Sequence, residues 1–118
     1  DGRWRGLSLT MPLKAVAYAT AATRDHAADL TRAVNTYLLT DEGPLGFNTD
    51  IGGIVAALAE IGHDRVASAR IVGAGATATS ALVALGQAGA ERAEIVARRP
   101  AAAEGLRAFS AQTERSDR

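Results

Sequence analysis

The apolar positions of the chain recur at helical spacing in some stretches and form short runs in others. Ile51, Ile54 and Leu58 follow one another at steps of three and four, which places them on one face of a helix over residues 51–61. Short apolar runs bounded by Gly, Pro or Asp predict strands instead. In chain order, the pattern predicts a strand at 6–10, a helix at 13–32, a strand at 34–40, a turn at 41–44, a helix at 51–61, a strand at 69–72, a helix at 77–87, a strand at 94–97 and a helix at 101–112. Strands that alternate with helices in this way predict an α/β fold.

The composition excludes several classes of function. The 118 residues include 13 basic and 13 acidic side chains, so the formal net charge is zero. A protein that coats nucleic acid or an anionic membrane needs a surplus of positive charge, and no apolar run approaches the ~20 residues of a membrane span. Cysteine is absent and the histidines are His26 and His63, so we expect no disulfide framework and no metal site.

A glycine-rich segment joins the predicted strand at 69–72 to the helix that follows it. It reads Gly73-Ala74-Gly75-Ala76-Thr77-Ala78, which has the spacing of a dinucleotide-binding loop. Gly73 permits a tight turn, Gly75 lets a pyrophosphate approach the backbone, and the first amides of the helix face the phosphates. The alternative is a glycine turn with only a structural role, because such a pattern arises by chance in a chain rich in Ala and Gly.

The end of the second predicted strand indicates which dinucleotide is bound. NAD sites usually carry Asp or Glu there to hold the ribose hydroxyls. This chain has Arg98 and Arg99, whose guanidinium groups suit a ribose 2′-phosphate, and Glu94 is expected at the opposite end of the strand. The sequence therefore favours NADP over NAD, with two solvated arginines in a surface loop as the alternative.

Three polar clusters precede the glycine loop. They are Ser8-Leu9-Thr10-Met11-Pro12-Leu13-Lys14, Ala33-Val34-Asn35-Thr36 and Asn48-Thr49-Asp50. Taken singly, each has an ordinary structural explanation: a solvated lysine, hydrogen bonding at the end of a strand, and an aspartate that caps the helix beginning at Ile51.

Taken together with the glycine loop, the clusters closely resemble the shikimate dehydrogenase family. Sequences of that family run S-V-T-x-P-x-K, A-x-N-T, N-T-D and G-A-G-G in the same order, and the match covers residues 6–99. The resemblance implies an NADP-dependent enzyme that interconverts 3-dehydroshikimate and shikimate in aromatic amino-acid biosynthesis, located in the cytoplasm. The departures are Ala76 for a second consecutive glycine, Thr79 where relatives often have a basic residue, and Ala97 for an asparagine before Arg98.

The resemblance also implies roles for individual residues. Lys14 and Asp50 match the catalytic pair and are expected to contact the substrate, and Thr10 and Asn35 match residues that hold its hydroxyl groups. A protonated lysine stabilises the negative charge that develops on a ketone oxygen during reduction, and a neighbouring carboxylate orients the lysine. The residues expected to contact the cofactor are Gly73, Ala74, Gly75, Ala76, Thr77, Arg98 and Arg99.

The fold implied by the resemblance is part of a substrate-binding α/β domain joined to the first half of a Rossmann-like NADP-binding domain. Residues 1–50 are expected to be the C-terminal half of the substrate-binding domain, residues 51–66 a connecting helix, and residues 67–118 the first part of the NADP-binding domain. Because family members are about twice as long, we expect an internal fragment that is marginally stable or self-associating and inactive alone.

Several alternatives stay open at this point. One is a quinate/shikimate dehydrogenase of broader specificity. Others are a relative that binds NADP or a shikimate-like ligand without catalysis, and an alanine-rich interaction domain in which the glycine loop is only a turn. A homodimer of the full-length protein also stays open, whereas nucleic acid and membranes are not expected as partners.

Overall fold

The computed structural model describes residues 3–116, along which helices separate all consecutive strands except the two of one hairpin. The chain divides into two compact units, Asp1–Asp50 and Ile51–Arg118. The elements are β1 (Gly6–Ser8), α1 (Lys14–Thr20), β2 (Thr23–Arg24), α2 (His26–Thr31), β3 (Thr36–Thr40), β4 (Gly43–Phe47), α3 (Asp50–Glu60), β5 (Ser68–Val72), α4 (Ala76–Gln87), β6 (Arg92–Val96) and α5 (Pro100–Ser116). The predicted α/β class is confirmed. In this part of the chain, none of the helices has both the length and the apolar character needed to span a membrane.

The first unit is built on a four-stranded mixed sheet with the order β1-β3-β4-β2. β3 is antiparallel to both β1 and β4, whereas β2 is parallel to β4. Strands β1, β4 and β2 therefore run in one direction, and their C-terminal ends lie at the same edge of the sheet as the beginning of β3. The segments that follow β1, β2 and β4 therefore lie at this edge, next to the segment that precedes β3.

The helix predicted over residues 13–32 is interrupted in the structure. Helix α1 ends at Thr20, and the next residues pair with β4: the amide of Ala22 donates to the carbonyl of Pro44 (2.8 Å), and the amide of Asp25 donates to that of Gly46 (3.0 Å). Pairing with a distant strand outweighs the helix propensity of the alanines, because propensity is only a weak preference that tertiary contacts override. The turn predicted at 41–44 is also shorter in the structure, because β4 begins at Gly43 and pairs with β3 from that residue onward.

Small side chains form the core of the first unit. Ala17 of α1, Ala28 of α2 and Val34 before β3 are buried together, and Leu9, Tyr18 and Tyr37 pack around them. Gly46 of β4 lies directly beneath this core, since a Cβ atom there would be 2.8 Å from the Val34 side chain. The absence of a side chain at Gly46 therefore allows the core to approach the sheet closely.

The second unit contains a βαβ arrangement. β5 and β6 are parallel with Ile71 opposite Ile95, and α4 connects them. Ile71 packs with Leu85 of α4 and Leu106 of α5 in an apolar core on one face of the two strands. The other face is open: Val72 is 81% exposed, and the Nε of Arg70 bonds to Glu94 across the strands (2.8 Å). The strand–helix–strand order predicted from residue 69 onward is confirmed.

Candidate active site

The polar clusters of the first unit converge at the common edge of its sheet. Lys14 begins the helix that follows β1, Asn35 immediately precedes β3, and Asp50 comes shortly after β4. Backbone hydrogen bonds extend the strand pairing up to these residues: the amide of Leu9 donates to the carbonyl of Asn35 (2.7 Å), and the amide of Asn35 donates to that of Phe47 (3.0 Å). The sheet topology therefore brings together residues that are up to 36 positions apart.

An ion pair between Lys14 and Asp50 lies at the centre of the cluster. The Nζ of Lys14 lies 2.6 Å from Oδ2 of Asp50, and the side chains are 12% and 25% exposed. The carbonyl of Lys14 also accepts from the amide of Val34 (3.0 Å), which ties the start of α1 to the core. The short distance and the low exposure give this pair a defined geometry, whereas exposed ion pairs contribute little. Lys14 is also the only lysine in the sequence.

Asn35 holds the other oxygen of the carboxylate. Its Nδ2 donates to Oδ1 of Asp50 (2.8 Å) and to Oγ1 of Thr49 (2.9 Å), and its Oδ1 accepts from the amide of Thr49 (3.0 Å). Both oxygens of Asp50 are thus engaged by side chains outside α3. The explanation of Asp50 as a simple cap of a helix beginning at Ile51 is wrong, because Asp50 is itself the first residue of α3 and its carboxylate bonds to Lys14 and Asn35.

Thr10 lies at the same edge, in the segment between β1 and α1. Its carbonyl accepts from the amide of Leu13 (2.8 Å) in the turn that leads into α1, and the residue is exposed. Of the four residues predicted for substrate and catalysis, three are therefore in direct contact and the fourth lies nearby in the chain.

Sequence reasoning gave no role to Asn48, although it completes the cluster. Asn48 is 5% exposed, its Oδ1 accepts from the amide of Asp50 (2.9 Å), and its Nδ2 donates to Oγ1 of Thr31 (2.8 Å). Its own amide donates to Oδ1 of Asp25 (3.2 Å), the residue that caps α2. The available signal was its place in the Asn48-Thr49-Asp50 cluster, but the contact with Thr31 depends on the tertiary fold.

The glycine loop of the second unit has a shape that suits a pyrophosphate. Gly73 has a φ of +125°, a conformation that favours glycine, and its amide donates to the carbonyl of Val96 (2.8 Å). Gly75 precedes α4 without a side-chain cap, and a Cβ at either glycine would meet no atom within 4 Å. A helix start without a capping side chain, next to open space, fits an anionic ligand. Within the predicted loop, Ala74 is half-buried, whereas Ala76 and Thr77 are exposed at the start of α4.

Arg98 and Arg99 are exposed just beyond the C-terminal end of β6. Because β5 and β6 are parallel, the glycine loop and the arginines lie at the same edge of their sheet, where α/β proteins bind nucleotides. Glu94 does not begin the strand as expected. β6 begins at Arg92, and Glu94 lies in its middle, bonded to Arg70. It is still not at the end of the strand where a ribose-binding carboxylate is expected.

Comparisons with known proteins agree with the motifs. No protein-family model matches the chain. The shikimate dehydrogenase (NADP(+)) of Rubrobacter xylanophilus is 39% identical over 106 residues, which are 88% of this chain and 37% of that protein. The shikimate 5-dehydrogenase of Thermus thermophilus, solved in complex with NADP(H) and shikimate, superposes with a TM-score of 0.79 at 34% identity over 92% of this chain and 41% of that one.

A third similar structure is the quinate dehydrogenase of Corynebacterium glutamicum in complex with NAD, with a TM-score of 0.81 at 25% identity over 91% of this chain and 39% of that one. The chain thus spans about two fifths of the length of the relatives that it matches. These findings confirm the resemblance that the four motifs indicate. By sequence and by fold, the chain is similar to a segment of shikimate dehydrogenases.

Proposed function

We propose that this chain is part of an NADP-dependent dehydrogenase that interconverts 3-dehydroshikimate and shikimate, with Lys14 and Asp50 as the catalytic pair. The observation that carries the proposal is the 2.6 Å contact between Lys14 Nζ and Asp50 Oδ2, at the edge where Asn35 also lies. The names of the relatives support the substrate and the cofactor.

Lys14 supplies the proton in this scheme. Reduction of a ketone places negative charge on its oxygen, and a preorganised ammonium group stabilises that charge. Nζ of Lys14 donates to this oxygen and transfers a proton to it, and in the oxidation direction Nζ accepts the proton of the substrate hydroxyl. A nicotinamide cofactor supplies the hydride when it is bound.

Asp50 and Asn35 fix the direction of the lysine. One carboxylate oxygen bonds to Nζ and the other accepts from Nδ2 of Asn35 at 2.8 Å, which opposes rotation of the carboxylate. Because the pair is only partly exposed, water competes little for Nζ. Asn35 and Thr10, as the residues expected to hold substrate hydroxyls, complete the proposed site.

The second unit provides the proposed NADP site. Gly73, Gly75 and the first amides of α4 would hold the pyrophosphate, and Arg98 with Arg99 would hold the 2′-phosphate. The uncapped start of α4 and the exposure of both arginines support this assignment. Ala74, Ala76 and Thr77 complete the loop.

We assign the domains in the same way. Residues 1–50 are proposed to belong to the substrate-binding domain, residues 51–66 to a connecting helix, and residues 67–118 to the NADP-binding domain. The division of the chain into units after Asp50 supports this assignment. The proposed biosynthetic role supports a cytoplasmic location. For the assembly of the full-length protein, a homodimer is the state to test first, by light scattering.

The substitution Lys14→Ala tests the proposal in the protein that carries this chain. We expect turnover of 3-dehydroshikimate to fall by about 100-fold or more, because a group positioned for proton transfer typically contributes that much. NADP binding, measured by titration calorimetry, is expected to change little. Arg5→Ala, a matched loss of an exposed cation in the first unit, serves as the control. Equal losses of turnover and NADP binding in Lys14→Ala would contradict the assigned role.

The second candidate is oxidation of quinate, favoured by the similarity to the quinate dehydrogenase of Corynebacterium glutamicum. The ratio of kcat/KM for shikimate and quinate, measured with NADP and with NAD, separates the two. A ratio near one would favour the broader enzyme.

A further inference from the structure

Asn48 is buried next to the proposed catalytic pair and bonds to the backbone of Asp50. Its side chain connects two elements: Oδ1 accepts from the amide of Asp50 at the start of α3 (2.9 Å), and Nδ2 donates to Oγ1 of Thr31 in α2 (2.8 Å). Asn48 is 5% exposed and Thr31 is 8% exposed, so water has little access to these bonds.

The donor and the acceptor of each of these two hydrogen bonds are determined. The hydroxyl of Thr31 donates to the carbonyl of Ala27 in its own helix (2.9 Å), so toward Asn48 its oxygen is an acceptor. Nδ2 of Asn48 must therefore point to Thr31, and Oδ1 must point to the amide of Asp50. If the side-chain amide of Asn48 rotated by 180°, it would lose both of these bonds. The buried amide is therefore a rigid connection between the two elements.

Asn48 and Asn35 hold different parts of the same residue. Asn35 bonds to the carboxylate of Asp50, whereas Asn48 bonds to its backbone amide. Fixing the amide fixes the position of Cα and the direction in which the side chain leaves the backbone. The amide of Asn48 is in turn held by Oδ1 of Asp25, the cap of α2, at 3.2 Å. Helix α2 thus provides the support on which Asp50 is placed.

We propose that Asn48 is a positioning residue which, anchored by Thr31, sets the backbone of Asp50 so that its carboxylate meets Lys14. The catalytic consequence rests on the proposed function of the Lys14–Asp50 pair. The structural part does not, because it concerns the geometry of the ion pair itself.

The variants Thr31→Val and Thr31→Ser test this link. Valine keeps the shape of the side chain but removes the acceptor for Asn48, and serine keeps the hydroxyl. Thr20→Val is a matched control, because Thr20 also donates to the carbonyl four residues earlier in a helix (3.0 Å). Asn48→Ala removes the bonds to Thr31 and to the amide of Asp50, and gives a second test if Thr31→Val fails to fold, as judged by circular dichroism.

The first readout is nuclear magnetic resonance of protein labelled with ¹⁵N- and ¹³C-lysine. Because Lys14 is the only lysine, its Nζ and Cε resonances are unambiguous reporters of the ion pair. We expect Thr31→Val and Asn48→Ala to move these resonances toward those of Asp50→Asn, whereas Thr31→Ser and Thr20→Val leave them in place. Resonances in Thr31→Val and Asn48→Ala that match those of the wild type would overturn the proposal.

The second readout is a double-mutant cycle on turnover in the protein that carries this chain. We expect Thr31→Val to lower kcat about tenfold or more with an unchanged KM for NADP, since small misplacements of catalytic groups are costly. In an Asp50→Asn background the same substitution is expected to have no further effect. Additive losses would overturn the positioning role. Full activity of Asp50→Asn would instead refute the proposed function and leave the resonance test of the geometry standing.

Discussion

Ion pairs within residues 3–116 differ in how far water reaches them, and this exposure decides how much each contributes to stability. Lys14 and Asp50 are mostly shielded from water, and Asn35 bonds to the carboxylate. Arg107 and Glu104 on α5 are about 70% exposed and lie three residues apart on one helix. A pair of the second kind contributes roughly 0–1 kcal/mol, whereas removing one partner of a shielded pair leaves an uncompensated charge. The function proposed above accordingly rests on the shielded pair.

Backbone strain is concentrated at Arg32 among the residues that the structure describes. Arg32 ends α2 with φ 53° and ψ 36°, a left-handed conformation in which a Cβ atom is unfavourable and glycine is preferred. We expect Arg32→Gly to stabilise the first unit by about 0.5–1 kcal/mol, since relief of strain exceeds the entropy that glycine adds to the unfolded chain. Urea unfolding measures the change.

The control for this prediction is Arg107→Gly. Arg107 is an exposed arginine within α5, and glycine in a helix interior costs about 1 kcal/mol. The two arginine-to-glycine changes are therefore expected to have opposite signs. Destabilisation by both would show that the left-handed turn at Arg32 is not strained.

At the scale of elements, sequence patterns predicted what is local and missed what depends on distant partners. The helix after Asp50 and the strand–helix–strand order of the second unit follow from periodicity and glycine placement. The short strand β2 was missed because it exists through pairing with β4, about 20 positions away. The strand β4 was missed although it pairs with the adjacent β3, because its Gly43, Pro44 and Gly46 are typical of a turn. The motifs indicated Lys14, Asn35 and Asp50, but the link from Asn48 to Thr31 could not be predicted before the fold placed α2 beside them.

The close approach of the core to β4 gives a test at this scale. A Cβ atom at Gly46 would lie 2.8 Å from Val34 and 3.0 Å from Ala21, both of them buried. We expect Gly46→Ala to destabilise the first unit by about 1–3 kcal/mol, the usual cost of overpacking. Thermal and urea unfolding followed by circular dichroism measure the effect.

Gly53→Ala is the matched control. Gly53 is exposed within α3, and a Cβ there meets no atom within 4 Å, so alanine is expected to stabilise the helix by about 1 kcal/mol. A Gly46→Ala protein as stable as the wild type would mean that β4 can move away from Val34 at little cost.

At the scale of the whole molecule, each unit has its own core and its own candidate site. The first unit holds the proposed proton-transfer pair, and the second holds the glycine loop and the arginines. One face of β5 and β6 is open, with Val72 largely exposed, although parallel strands are normally covered on both faces. The change in thermal stability on adding a ligand therefore tests the candidate site of the second unit.

NADP is the ligand with which to test the second unit. A ligand that binds only the folded state raises its stability, by about 2.7 kcal/mol at a concentration of 100 times Kd. We expect NADP to raise the Tm more than NAD does, because the guanidinium groups of Arg98 and Arg99 suit the 2′-phosphate. Arg98→Ala is expected to remove most of this difference. Arg92→Ala, at the opposite end of β6, removes the same charge and is expected to preserve it. Equal shifts with both cofactors in the wild type would show that the arginines do not select NADP, and no shift with either would leave the glycine loop with a purely structural role.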